Sequence, residues 1–524
     1  MLIVVTADEM RALDRWTIEH GTPGPILMER AGGGAARVLR ARLGTPRGSV
    51  VVVCGRGNNG GDGFVVARHL RRARIPVEVW LAANPEDVRG DAAGMLAAWR
   101  RGRNALHDLT GRGRVEALAS RLARTAVVVD ALLGTGLNAP VSGLAAAVIE
   151  AVNRWAESSG RPVLAIDIAS GLAADSGRPL GVAIRATVTA TFGCAKIGQV
   201  VYPGIDYTGI LDVVDIGIPP AALAAVHPRT SLLERGEVGR LLPPRPRDAH
   251  KGTFGHVLVI GGSRGKTGAA LLAAEGAARA GAGLTTLAVP AALQPAFEGR
   301  VREVMTAALP DPGEIGSLLA GRAAVVCGPG LGVTDETRAV VAEVVRRTPA
   351  PLVLDADGLN IVAGTGLLRE RAGPTVVTPH PGEMARLLGC ETAEVQADRL
   401  AAARRVAGGE GVVVVLKGAR TVIAAPDGGA AISPAGNPGM ASGGTGDVLA
   451  GIVGGLLGQG LAPFDAAVLG VFAHGAAGDR VAARQGEVGL LAGDLLAELP
   501  PTLVELRAMV RPAPRRRERT RADT

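Results

Sequence analysis

The 524-residue sequence predicts an α/β protein of two domains, each a largely parallel sheet covered by helices on both faces. Three observations carry that expectation. Short β-branched runs alternate with alanine-rich helical stretches along the whole chain. Glycine is abundant, at 75 residues, as many tight strand-to-helix loops require, and the chain is too long for one hydrophobic core. Apolar residues make up 47% and aromatics only 2%, so aliphatic side chains must fill the cores.

Element by element, Thr6-Ala7-Asp8-Glu9 reads as a capping box that opens a helix from Ala7 to about His20, stopped by Gly21. Strands are expected at 50–53, 77–81, 126–129 and 163–166, then at 257–260, 323–326, 352–354, 375–377 and 412–416, each set forming its own sheet. Between the sets, Pro219, Pro220, Pro228, Pro243, Pro244 and Pro246 interrupt any long periodic element. The boundary is therefore expected near Ala225, giving domains 1–224 and 225–510 and a tail 511–524.

Half of the net charge of +8 sits in that tail, whose six arginines outnumber Glu518 and Asp523. Such an end reads as a solvated disordered terminus rather than a nucleic-acid arm, and the mildly basic remainder suits anionic small molecules. Cys54, Cys194, Cys327 and Cys390 show no disulfide or metal spacing, and neither a signal peptide nor a membrane span is evident. A reducing, cytoplasmic setting without nucleic-acid or membrane partners is the expectation.

In the first domain, the strand at 50–53 runs into Cys54-Gly55-Arg56-Gly57-Asn58-Asn59-Gly60-Gly61-Asp62-Gly63, with a helical run expected from Phe64. A glycine loop between strand and helix favours phosphate binding at the helix N-terminus. A plain tight turn would need the glycines but not Asn58, Asn59 and Asp62. Asp130 followed by Gly134-Thr135-Gly136-Leu137, and Asp167 followed by Ile168-Ala169-Ser170-Gly171, repeat the arrangement at two further strand ends. The competing reading of Asp130 and Asp167 is as caps at those ends. Three polar loops at the C-terminal ends of parallel strands would face one crevice.

In the second domain, the run from Gly261 to Ala269 nearly matches a phosphate-wrapping loop, but Ile260 holds the place of its first glycine. A small-residue substrate surface is the better account. The strongest signal is Asn437-Pro438-Gly439-Met440-Ala441-Ser442-Gly443-Gly444-Thr445-Gly446-Asp447, ahead of an apolar helix expected near Val448. Glycine amides at a helix N-terminus form an anion hole, and an adjacent aspartate can take a proton from a hydroxyl attacking phosphorus. The alternative for Asp447 is a simple helix cap. Three strand-end loops support the site reading: Cys327-Gly328-Pro329-Gly330; Thr378-Pro379-His380-Pro381-Gly382-Glu383, where His380 could equally pack; and Lys417-Gly418-Ala419-Arg420-Thr421, which offers cations and amides to phosphates.

Leu27-Met28-Glu29-Arg30-Ala31-Gly32 together with the Asn-Asn-Gly-Gly-Asp-Gly loop resembles the NAD(P)H-hydrate epimerase family across essentially residues 1–220. The resemblance implies a Rossmann-like three-layer sandwich. It also implies that Asn58, Asn59, Gly60, Gly61 and Asp62, with Gly134, Thr135, Gly136, Leu137, Asn138, Ala139 and Pro140, cradle the hydrated nucleotide. Asn59, Asp130 and Ser170 would hold a potassium ion, and Asp167 would touch the hydrated nicotinamide as acid and base. The family usually has proline where this chain has Ala169, which puts the rigidity of that loop in question.

Residues from about 230 to 508 resemble the ADP-dependent NAD(P)H-hydrate dehydratases of the ribokinase-like superfamily, through Pro-His-Pro-Gly-Glu and Gly-Gly-Thr-Gly-Asp. The resemblance implies a ribokinase-like three-layer sandwich in which Ala269, Gly330, His380 and Asp447 contact the hydrated nucleotide. Lys417, Gly418, Ala419, Arg420, Thr421 and Gly446 would bind ADP, and Glu383 would organise Mg2+ through water. The two halves in this order resemble the fused bacterial repair enzymes, which implies epimerisation of R- and S-NAD(P)HX and dehydration of the S form at the expense of ADP, giving AMP and phosphate. A homo-oligomer is expected. The rival is a ribokinase-like small-molecule kinase carrying a non-catalytic N-terminal binding domain.

Overall fold

The computed structural model describes residues 1–510, so the expected basic tail lies outside the described residues. Two compact units divide between Thr230 and Ser231, a few residues beyond the expected 224/225 boundary.

The N-terminal unit carries a seven-stranded parallel sheet in the order Leu106–Asp108, Val77–Leu81, Ser49–Cys54, Thr125–Ala131, Val163–Ile166, Val188–Phe192, Ile210–Val214. Successive strands therefore add outward in both directions from Ser49–Cys54 and Thr125–Ala131, which opens a crevice at their C-terminal ends. Valine fills the central strands because both faces are covered by helices. Strands 77–81 and 163–166 lie where expected; Leu106–Asp108, Val188–Phe192 and Ile210–Val214 were not anticipated.

The first helix is Ala7–Glu19, and Thr6 and Glu9 exchange both bonds of the capping box. The helix expected from Phe64 instead begins at Asn58, with Gly57 as N-cap, so the polar residues of the glycine loop form its first turn. Glycine permits that start, because a methyl on Gly60 would overlap the Gly55 carbonyl and one on Gly55 the Leu132 carbonyl. Glu29 of helix Gly24–Leu43 ties this helix to its neighbour through Arg68 and, at 3.0 Å, His69.

The C-terminal unit has its own sheet, parallel through Met305–Ala308, Leu284–Val289, His256–Ile260, Ala324–Cys327, Leu352–Leu354, Thr375–Val377 and Val413–Leu416, with Val422–Ala424 and Ala430–Ile432 added antiparallel. Its switch point falls between His256–Ile260 and Ala324–Cys327. Helix Thr445–Gly458 begins three residues before the expected Val448, which puts Asp447 inside its first turn. Its glycines allow close packing: methyls on Gly451 and Gly455 would collide with the carbonyls of Ala273 and Ala277 on helix Thr267–Arg279, and one on Gly454 with Val326 of the sheet.

Gly451→Ala should accordingly destabilise the protein by about 1–3 kcal/mol through overpacking against fixed backbone. Gly94→Ala, on a helix where an added methyl meets nothing within 4 Å, serves as the control and should be neutral or stabilising. Thermal melting of the full chain separates the two outcomes.

Candidate functional sites

In the N-terminal unit the crevice is a cavity of about 770 Å³ at the strand ends. Of the expected residues, Asn58, Asn59, Asp62, Gly134, Thr135, Gly136, Leu137 and Asp167 line it. Gly60 and Gly61 do not; they let the helix start approach Gly55 and Met28. Asn138, Ala139 and Pro140 are exposed and lie outside the lining.

Asp130 and Ser170 are buried beneath the cavity floor. The Asp130 carboxylate accepts from Ser170 Oγ at 2.6 Å, Ser170 N at 2.8 Å and Leu132 N at 3.2 Å. It thus does tie the loops locally, as the capping alternative held, but with further oxygens around it. Asn59 donates Nδ2 to the Leu133 carbonyl at 2.8 Å, while its Oδ1 is buried without a partner. Burial pushes the Asp130 carboxyl up to about 6 against the bonds it accepts. Ala169 is itself buried, and its loop is tied by the Ser170 bonds, by Ile184 N to Ser170 O at 2.8 Å and by Gln199 Nε2 to Asp167 O at 2.6 Å. Those bonds tether the loop on either side of Ala169.

Asp167 adopts φ +60° right after its strand, which turns its carboxylate into the cavity and onto the ammonium of Lys196. Lys196 is fully buried and also donates to Thr191 Oγ1 at 2.9 Å and Phe192 O at 3.1 Å. Asp14 and Arg56 complete the polar wall. Burial, then the charges of Asp167 and Asp14, hold the Asp62 carboxyl well above the usual carboxylate range. Lys196 and Asp14 escaped the sequence reading. The lysine follows an unrecognised strand, and Asp14 looks like any polar residue of an amphipathic helix.

The second cavity, about 430 Å³, lies at the strand ends of the C-terminal unit. Ala269, Gly330, Glu383 and Asp447 line it together with Lys266, Asp357, Gly443 and Gly444. Gly444 is the N-cap of helix Thr445–Gly458 and no side chain bonds the exposed amides there, which removes the helix-cap reading of Asp447. Burial, then the Asp355 charge, pushes the Asp447 carboxyl up to about 6, with Lys417 opposing.

Lys417 bonds Asp355 Oδ1 at 2.6 Å and stands 3.9 Å from Glu383 Oε2. Burial draws its ammonium downward, but the Asp355 and Glu383 charges outweigh that and the net shift is upward. Lys417 also lies against Gly446, where a methyl would stand 3.2 Å from Nζ. The lysine expected to reach for phosphate is therefore committed to carboxylates next to Asp447.

His380, Lys417, Gly418, Ala419, Arg420, Thr421 and Gly446 do not line this cavity. His380 is exposed and caps helix Pro381–Leu388, accepting from Gly382 N at 3.0 Å and Glu383 N at 3.3 Å, while Glu383 Oε2 accepts from His380 N at 2.8 Å. Its ring serves the loop that presents Glu383. Asp355 and Asp357 were legible by the rule used for Asp130, an acid just past a strand, but were passed over. His474 was missed because it sits inside helix Pro463–Gln485; its Nε2–H donates to Thr445 O at 2.9 Å and fixes the first turn that carries Asp447.

The first unit is a Rossmann-like sandwich with a polar crevice at its strand ends, the second a ribokinase-like sandwich with an acid at a glycine-lined helix start. Residues 24–198 match the family described as YjeF-related protein N-terminus, and residues 257–501 that described as NAD(P)H-hydrate dehydratase. The bifunctional NAD(P)H-hydrate repair enzyme Nnr of Moorella thermoacetica is 45% identical, spanning 96% of this chain and 97% of its own. The Nnr of Thermofilum pendens is 42% identical over 96% and 97%, and that of Escherichia coli 38% over 90% and 88%. An ADP/ATP-dependent NAD(P)H-hydrate dehydratase from Bacillus subtilis, co-crystallised with ATP/Mg2+, is 32% identical and covers 53% of this chain and 98% of its own, at TM-score 0.47. The chain belongs to the family of bifunctional NAD(P)H-hydrate repair enzymes.

Burial first, and the Lys417 charge, push His474 down to about 4, from an ordinary 6.5. Its contribution to stability is therefore full above pH 6.5 and lost as the pH falls through 4, because only the unfolded chain protonates in that window. His474→Leu should flatten this acid limb of the thermal midpoint. It should also lower stability at neutral pH by about 1 kcal/mol, through loss of the His474–Thr445 hydrogen bond.

Proposed function

We propose that the chain repairs hydrated NADH and NADPH, the N-terminal unit interconverting the R and S hydrates and the C-terminal unit dehydrating the S hydrate with ADP. The observation that carries the second activity is Asp447, facing a cavity beside glycine amides and one lysine-centred carboxylate cluster. Asp447 removes the proton of the C6 hydroxyl, and that oxygen attacks the terminal phosphorus of ADP, releasing AMP. Amides at the start of helix Thr445–Gly458 stabilise the charge that develops on the phosphoryl oxygens. The phosphate then departs with the C6–O bonding pair while the N1 lone pair forms the C6=N1 bond, and loss of a C5 proton restores the dihydronicotinamide. Ala269, Gly330 and His380 contact the nicotinamide side, and residues 417–421 with Gly446 bind ADP, Lys417 through the field of an ammonium that stays on Asp355.

Glu383 offers one carboxylate at a wall that also carries Asp357 and Asp447, a donor set that fits Mg2+ held mostly by nucleotide phosphates and water, where the ion would supply charge neutralisation to the transferred group. In the N-terminal unit, Asn59 Oδ1, Asp130, Ser170 Oγ and the Leu133 carbonyl are all hard oxygens, and the unpartnered buried Asn59 oxygen fits K+, which would balance the Asp130 charge beneath the substrate. Asn58, Asn59, Asp62 and residues 134–137 then hold the nucleotide, with Asp167 at the hydrated ring. Among the described residues no helix is long and apolar enough to cross a membrane. The cytoplasm and a homo-oligomer remain our proposed setting and assembly, on the basis of the reduced-cysteine pattern and the family. The rival small-molecule kinase is not favoured, since both units match repair families.

Racemic hydrated NADH given to the purified chain with ADP should regain dihydronicotinamide absorbance and release AMP; a stable phosphorylated product instead overturns the dehydratase reading. Asp447→Asn should lower that turnover by about 10²–10⁴-fold with nucleotide binding retained. Because Asp447 acts deprotonated, wild-type turnover should fall as the pH drops through about 6. Asp167→Asn should abolish R-to-S conversion while S-hydrate dehydration continues, read by separating the epimers chromatographically.

A further inference from the structure

Inversion at C6 by breaking and remaking its C–O bond needs two proton-handling groups, one serving each face of the ring. On one face the departing hydroxyl gains a proton and leaves as water, while the N1 lone pair forms the C6=N1 bond. On the other face a water adds to C6, gives a proton to the second group, and the C6=N1 pair returns to N1. One water leaves, one enters, and the proton count is unchanged. The Asp167–Lys196 pair supplies one such group.

Asp14 stands on a different element of the same cavity wall, helix Ala7–Glu19. Among the described residues no hydrogen bond or ion pair engages its carboxyl, so its oxygens are available to a ligand. The helix that carries it is held rigidly. Ala7 N donates to Asp175 Oδ1 at 2.7 Å, and Met10 and Leu13 pack with Val5, Cys194 and Ala222. That packing sets Asp14 against the segment that carries Lys196. Of the charged neighbours on its own helix, Arg11 is paired with Asp8, and Glu9 is bonded to Thr6 N at 2.8 Å. The groups that face Asp14 are Asp62, Asp167, Lys196 and Cys194. Burial, then the Asp167 charge, raises its carboxyl to about 6 against the pull of Lys196, so both protonation states are within reach near neutrality.

We propose that Asp14 is a second catalytic residue of the epimerisation, exchanging a proton with the C6 oxygen on the face of the ring that Asp167 and Lys196 do not serve. The inference rests on the epimerase reading of this cavity. The roles of the two groups swap between the R-to-S and S-to-R directions, as a reversible isomerisation requires.

The test uses the full chain and the R hydrate of NADPH without ADP. Asp14→Asn should lower kcat for R-to-S conversion by about 100-fold or more with KM within about twofold. Asp14→Glu should recover part of the loss, and ADP-driven dehydration of the S hydrate should be unchanged in both variants. An active wild type with an unimpaired Asp14→Asn, or a loss confined to KM, overturns the role of Asp14 alone. A wild type that dehydrates but does not epimerise overturns the epimerase reading and this role together.

Discussion

In each unit one buried lysine, held near the C-terminal ends of parallel strands, lies among several carboxyls at one crevice, and the proposed chemistry rests on that crowding. Lys196 is fully buried and serves Asp167 directly, with Asp14 and Asp62 close enough to feel both. Lys417 bonds Asp355 and holds Glu383 and Asp447 in its field. A buried ammonium is tolerable only beside carboxylates, and carboxylates in excess of the ammonium are driven to keep protons. One buried ammonium among more numerous buried acids thus leaves Asp14 and Asp447 raised to about 6, poised to give or take a proton.

The strand topology makes such crowding possible. Both sheets grow outward from a central pair of strands, so loops of distant sequence origin meet over one crevice. Backbone strain collects at the same places. Of the six non-glycine residues with positive φ among those described, Asp167, Ala356 and Arg420 lie in loops just past strands around the two sites. Asp167 and the loop at Ala356 are held by the packing beneath them, which aims carboxylates that an ordinary turn would direct elsewhere.

How far the sequence disclosed this depends on whether a signal was local. The capping box at Thr6, the valine strands and the glycine run before Asp447 are contiguous patterns, and the structure places them within a few residues of expectation. Strand Val188–Phe192 alternates valine, alanine and threonine, and its threonines are buried, Thr189 donating to Thr208 O at 2.6 Å. Polar residues in a buried strand break the apolar pattern, so the strand and the lysine behind it went unseen. His380 shows the same limit from the other side: the conspicuous imidazole in a proline-flanked loop also caps a helix, a role visible only once the first-turn amides are in view.

The glycines of helix Thr445–Gly458 join fold and chemistry. Small residues along one face let the helix lie against Ala273 and Ala277 on one side and the sheet on the other, which drives its N-terminus into the crevice. His474 then bonds the Thr445 carbonyl, which braces the first turn that carries Asp447. A dipole that needs no reorganisation stabilises a transferring phosphoryl group more than one assembled by binding. Asp447, our proposed general base, is borne by the same turn, so close packing below would place both that base and the proposed anion hole by one constraint.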